Sequence, residues 1–166
     1  MLTSVTRRNV FARLLGTALM LVGCFAAPAS AQRVPSDHVI EILIKRNLAT
    51  FNDANISGNY EVWHTTLSRP FRQQFSAERL KETFKAFHDQ DIDLAPILAQ
   101  PPKLSEPARI DQEGALLLKG TFETRPSRVL FDLRLLPAEG DWKLISIHVN
   151  VEPADDKQRT GASGKM

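Results

Sequence analysis

The stretch Arg128-Val129-Leu130-Phe131-Asp132-Leu133-Arg134-Leu135-Leu136 decides the fold, together with Trp142-Lys143-Leu144-Ile145-Ser146-Ile147-His148-Val149-Asn150-Val151 after the joint Pro137-Ala138-Glu139-Gly140-Asp141. Apolar residues recur at every second position, and only an extended strand gathers such residues on one face. A joint this short makes the two strands antiparallel neighbours. A third strand, from about Ala115 to Thr124, precedes them across Arg125-Pro126-Ser127. Further upstream, Pro96, Pro101, Pro102 and Pro107 demote the segment after Asp93 to an irregular or edge strand.

The same pattern predicts register, because a slip of one residue moves a whole set of side chains to the opposite face. Placing Leu136 opposite Trp142 aligns Val129, Phe131, Leu133 and Leu135 with Val149, Ile147, Ile145 and Lys143, an almost wholly apolar face. The back then carries Leu130, Asp132, Arg134, Ser146, His148 and Asn150. Closing the earlier hairpin over Pro126-Ser127 adds Phe122, Gly120 and Leu118 to the apolar face, and Glu123, Thr121 and Lys119 to the mixed one. Leu117, Leu136, Trp142 and Leu144 are expected on the mixed face, which suits a protein contact, with Asp132 as a partner of Arg134 or Lys119.

Three helices are expected before the strands. In the first, Ser36 or Asp37 caps the start, Ile40, Leu43, Ile44, Leu48 and Phe51 recur at helical spacing, and Ser57-Gly58 ends it. The second runs from about Tyr60 to Leu67, with Tyr60, Trp63, His64 and Leu67 on one face and Pro70 barring its continuation. Ser76 caps the third, in which Leu80, Phe84 and Phe87 form the buried stripe and Lys81, Glu82 and Lys85 face water. Helices followed by strands make the fold class α+β.

Composition narrows the chemistry. Of 166 residues, 21 are basic and 19 acidic. Arg7, Arg8 and Arg13 lie within the first 31 residues, which hold no acid, so the rest carries one more acid than base and is not built for a nucleic-acid polyanion. Those residues are basic, then apolar from Leu14 to Ala27, then small through Ala29-Ser30-Ala31, the order of a cleaved export signal, with cutting expected before Gln32. The apolar run falls short of the roughly 20 residues of a bilayer span. Domain limits follow: a signal peptide over 1–31, a folded domain over 36–152 and a disordered tail over 153–166. Thr6-Arg7-Arg8-Asn9-Val10-Phe11 resembles a twin-arginine signal, and ordinary Sec export fits equally; both lead to a bacterial periplasmic or secreted location. Leu21-Val22-Gly23-Cys24 resembles a lipobox, the minority reading, in which Cys24 is acylated. Since Cys24 is the only cysteine, the body has no disulfide, no cysteine zinc site and no thiol nucleophile.

Leu48-Ala49-Thr50-Phe51-Asn52-Asp53-Ala54-Asn55, the restart Gly58-Asn59-Tyr60 and the closing Gly140-Asp141-Trp142-Lys143-Leu144 carry a resemblance to the nuclear transport factor 2-like (cystatin-like α+β) superfamily over Ser36 to Glu152. The resemblance implies three helices packed on a curved antiparallel sheet, a cone whose mouth lies between helices and sheet, and homodimerisation through the outer sheet face. It does not select a function, since members include isomerases, dehydratases and binding domains.

The isomerases of that superfamily need a carboxylate base facing hydrogen-bond donors in a dry pocket. Here Tyr60 is the only tyrosine, and Asp132 falls on the mixed face, so no catalytic residue is assigned. His64 lies in phase with Tyr60 and Trp63; with Phe131 on the apolar face, these four are the candidate ligand-binding residues. Four scattered histidines make no metal site, and Asp89-Gln90-Asp91-Ile92-Asp93 fails as a calcium loop because Leu94 and Gln100 occupy the positions of the turn glycine and the bidentate glutamate. The expectation is an exported domain that binds a small apolar ligand or a protein partner, without cofactor, metal or catalysis. The alternative is an acid-base isomerase or dehydratase of a small organic compound.

Overall fold

The computed structural model describes residues 33–154. The leader, with Cys24 and the readings placed on it, and the tail after Ala154 lie outside the described residues. Helix α1 (Asp37–Ser57) buries Ile40, Leu43, Ile44, Leu48 and Phe51, the stripe expected of it. It ends where Gly58 turns left-handed (φ 65°), a conformation that costs a residue without Cβ little.

Four short α-helices follow instead of two: α2 (Glu61–Thr66), α3 (Arg69–Gln74), α4 (Ala77–Thr83) and α5 (Lys85–Asp89), then a 3-10 turn (Ala95–Ala99). Pro70 does not simply stop a helix; it occupies the first turn of α3, where a missing N–H is no loss. Ser68 caps that turn by accepting from the Phe71 N–H at 3.4 Å. Ser76 caps α4, accepting from the Arg79 N–H at 3.2 Å. The expected third helix divides at Phe84 (φ −101°, ψ 13°). Leu80 remains buried while Phe84 and Phe87 are half-buried against the core.

The sheet is open and antiparallel, with β1 (Lys103–Leu104), β2 (Arg109–Ile110), β3 (Leu116–Phe122), β4 (Ser127–Ala138) and β5 (Asp141–Pro153). The order is β1-β3-β4-β5, and β2 shares the outer edge of β3 with β1. Helices precede strands, so the class is α+β. β5 runs one residue past the expected domain end, and the Ala154 N–H donates to Pro126 O at 3.0 Å.

The β4–β5 register departs from the expected one. Glu139 and Gly140 both take positive φ (56° and 77°), the requirement of a tight two-residue hairpin, so closure occurs at Ala138 opposite Asp141. Leu136 thus faces Lys143, not Trp142. A bulge follows, with Leu135 opposite Leu144 but Arg134 opposite Ser146, leaving Ile145 unmatched. Beyond it Leu133 pairs Ile147, Phe131 pairs Val149 and Val129 pairs Val151, two residues from expectation and therefore on the same faces.

Near the turn the faces exchange. Leu144 is fully buried, Trp142 packs against the core, and Lys143 pairs with Leu136 on the outer side. The outer face keeps Leu117, Leu130 and Leu136 as its half-buried apolar residues. Asp132 lies there exposed, opposite Lys119 and His148, with its carboxylate 4.0 Å from Lys119 Nζ. Arg134 turns instead to Asp111 at 2.6 Å and Glu113 at 2.9 Å. On the inner face Leu116, Leu118, Phe122, Val129, Phe131, Leu133 and Leu135 join the helices in one core.

Candidate functional site

Two caps and one bulge shape a cleft of about 320 Å³ between the α3–α4 corner and β5. Phe71, Gln74 and Phe75 line it from α3 and its end, Leu80, Thr83 and Phe84 from α4 and its end, and Ile145, Ser146 and Ile147 from β5. Ile145 and Ile147, two apart on β5, share the inner face, and the bulge lets the adjacent Leu144 turn inward beside Ile145. The Ser68 N–H donates to Leu144 O at 2.9 Å and ties the start of α3 to β5 beside the bulge.

No lining residue of the cleft carries charge. Six of the nine are apolar, three of them aromatic, and Gln74, Thr83 and Ser146 supply polar atoms. The Thr83 hydroxyl already donates to Arg79 O at 2.8 Å. Phe71 and Phe75 meet edge-on at 5.1 Å between centroids. Phe84 contacts Phe51 at 4.8 Å and Trp63 at 5.8 Å, so the cleft wall is continuous with the aromatic core. Such a wall can hold an apolar body by area burial at roughly 25 cal/mol per Å², while the three polar side chains orient a polar end.

The four residues expected to bind ligand are placed differently. Tyr60 and Trp63 lie together, 5.8 Å between ring centroids, and are 3% and 1% exposed. The Tyr60 hydroxyl donates to Asn55 Oδ1, and burial pushes its pKa up to about 12. Trp63 touches a separate hollow between α1 and α2, and its Nε1 has no hydrogen-bond partner. Phe131, 2% exposed, packs on Phe122 at 5.5 Å in the sheet core.

His64 stands behind the cleft wall. Its Nε2–H donates to Phe75 O at 2.8 Å, since a carbonyl can only accept, and so holds the end of α3 in place. Glu78 nearby is held below the usual carboxylate range by its own backbone N–H and by Ser76, with His64 adding a smaller electrostatic pull. The structure thus assembles Tyr60 with Trp63, sets His64 to position Phe75, and leaves Phe131 in another layer.

Sequence reasoning misses Phe71, Phe75, Ile145 and Ile147 as cavity residues. Two signals were there to be read. Phe71 and Phe75 are four apart after a Ser-x-Pro start, the spacing of one helix face. Leu144-Ile145 breaks the two-residue alternation, a mark of a bulge. Among the described residues no cluster of three or more His, Cys, Asp or Glu side chains could hold a metal ion, and no helix is long and apolar enough to cross a membrane. Compared with protein-family models, with curated proteins and with solved structures, the chain matches none.

Proposed function

We propose that this is an exported, nuclear transport factor 2-like binding domain that holds a small apolar ligand in the cleft between α3, α4 and β5. The observation that carries the reading is the cleft itself: about 320 Å³, open at the surface, six apolar walls and no charged lining residue. That volume lies at the lower end of ligand pockets, which run from roughly 300 to 1,000 Å³. A cleft without an acid or an imidazole among its walls favours binding over proton transfer. The basic, apolar and small-residue order of the leader supports export. On the same reading a second copy of the chain covers Leu117, Leu130 and Leu136 on the outer sheet face; a sedimentation measurement giving a monomer at high concentration removes that part.

The test uses the neutral dye phenylnaphthylamine, which brightens in apolar surroundings. Wild-type protein gives a saturable fluorescence rise. Ile147→Arg, which sets a guanidinium into the cleft, weakens binding by about tenfold or more, a loss of at least ~1.4 kcal/mol. Leu130→Arg on the outer face leaves it unchanged. A wild-type titration that never saturates, or equal affinity in Ile147→Arg, overturns the reading.

A further inference from the structure

β5 forms one border of the sheet, since the strand order ends on it. A border strand leaves the N–H and C=O of every second residue without a ladder partner, and a row of such groups is a template for another strand. Which residues these are follows from the turn. The Ala138–Asp141 pair closes a two-residue hairpin and so exchanges both hydrogen bonds, as Leu136–Lys143 does next; beyond the bulge the bonded partners of β4 are Ser146, His148, Asn150 and Glu152. Trp142 and Leu144 before the bulge, and Ile147, Val149 and Val151 after it, therefore point their backbone groups outward.

The hydrogen bonds along this border agree with that phase and divide it in two. Near the turn the border is closed: the Trp142 N–H donates to Asp141 Oδ1 at 2.7 Å, Trp142 O accepts from Arg46 Nη2 at 3.2 Å, and Leu144 O accepts from the Ser68 N–H at 2.9 Å. Farther along it is open. The Val151 N–H donates to Asn150 Oδ1 at 3.0 Å, but no described residue bonds the outward groups of Ile147 and Val149 or the Val151 carbonyl. Between Leu144 and Val151 the strand has no proline and no Lys, Arg, Asp or Glu, the residues that ordinarily blunt such an edge. Pro153, which has no N–H to offer, ends it.

The open segment Ile147-His148-Val149-Asn150-Val151 is its own complement. A two-fold axis at Val149 sets Ile147 of one copy opposite Val151 of the other and Val149 opposite Val149, each pair joining outward groups to outward groups. Apolar side chains then meet on the inner face, and His148 meets Asn150 on the outer one, with no like charges opposed. A shift of two residues either way loses a pair: one sets Val151 against Ile145 in the bulge, the other sets Ile147 against Pro153. A shift of one turns bonded groups toward free ones and apolar side chains toward polar.

We propose that a second copy of this chain adds its β5 antiparallel to this open edge, paired about Val149, so that the two sheets become continuous. The pairing also covers the half-buried Ile145, Ile147 and Val151 beside it. So short a segment makes a contact at the small end of protein interfaces, and hence a weak dimer. It is separate from the outer-face contact, whose Leu117, Leu130 and Leu136 point across the sheet instead of along it.

The test is amide hydrogen exchange on the full chain over a concentration series, with sedimentation of the same samples. For a dissociation constant of about 0.1 mM, exchange at the Ile147 and Val149 amides slows by about fourfold between roughly 10 μM and 1 mM protein, as mass action requires. Leu130→Arg, which breaks an outer-face contact, leaves that slowing in place. Val151→Lys sets an ammonium opposite Ile147 of the other copy and weakens the dimer by about tenfold or more. Exchange at these two amides that does not change with concentration overturns the proposal, whether fast throughout (a bare edge, or a dimer through the outer face alone) or slow throughout (a segment of the same chain lying on the edge). A folded Val151→Lys protein that dimerises as tightly as wild type overturns it too.

Discussion

Gly120→Ala sets two physical effects against each other, and the structure says which wins. Glycine inside a strand is a liability of roughly 0.5–1 kcal/mol relative to alanine, because the unfolded chain has more freedom to lose. On that argument alone the substitution stabilises. A Cβ at Gly120, however, falls 2.3 Å from the carbonyl oxygen of Lys103, 2.9 Å from Phe131 Cζ and 3.0 Å from Leu104 Cα. Two of these atoms are backbone of β1, which pairs Leu104 with Gly120 itself. They cannot swing aside as a side-chain tip would, so β1 must move off β3 or β3 must bend into Phe131.

Overpacking of this kind costs about 1–3 kcal/mol, and a displaced β1 loses bonds such as Ser105 N–H to Lys119 O at 2.9 Å, worth about 1 kcal/mol net. Subtracting the backbone gain leaves a net loss of about 2 kcal/mol. With a urea dependence of roughly 1–3 kcal/mol per M, the midpoint falls by about 1 M. Equilibrium unfolding followed by tryptophan fluorescence measures it, and hydrogen exchange at Ser105 reports β1 directly, speeding up in the variant. A midpoint that rises, with Ser105 protection unchanged, refutes the close approach.

Three further outcomes follow from the packing. Leu144→Ala costs about 2–4 kcal/mol by cavity formation, whereas Leu136→Ala on the outer face costs under about 1 kcal/mol; urea unfolding that reverses this order would return the strand to the unbulged register. Tyr60→Phe leaves the buried Asn55 Oδ1 without its donor and lowers stability by about 1–3 kcal/mol in the same assay, and an unchanged midpoint would show that the amide finds another partner. Asp93 titrates lower in the folded than in the unfolded chain, so its contribution is present above the unfolded value near pH 4 and is lost as pH falls through the lower folded value; Asp93→Asn therefore shows a shallower acid-side fall in thermal midpoint, and parallel profiles would contradict the bonds drawn to Asn52 and Ala95.

The sequence by itself determined α1, the Gly58 stop, the Ser76 cap, the three long strands and the exposure of Asp132. Each rests on a local rule: residue spacing along one element, a residue that alone tolerates a backbone angle, or a side chain that satisfies a free N–H. The candidate site was less legible. Tyr60, Trp63 and Phe131 read as inward-facing and are so, but the chain pattern cannot tell a side chain that fills the core from one that borders a void; that depends on what arrives from elsewhere in the chain.

Tertiary structure decided the rest. Whether Leu144 points in or out depends on where the hairpin closes and where the extra residue is absorbed, and both answers come from the pairing of β5 with β4 and from the Ser68 N–H that reaches Leu144 O. The cleft exists because α3, α4 and a bulged strand meet at a corner that no single segment encodes. Asn55 accepts from Tyr60 at its side chain and from His88 at its backbone carbonyl only once those residues have been brought against the end of α1. Periodicity records which way a side chain faces, and cavities are made by the mismatch between facing surfaces.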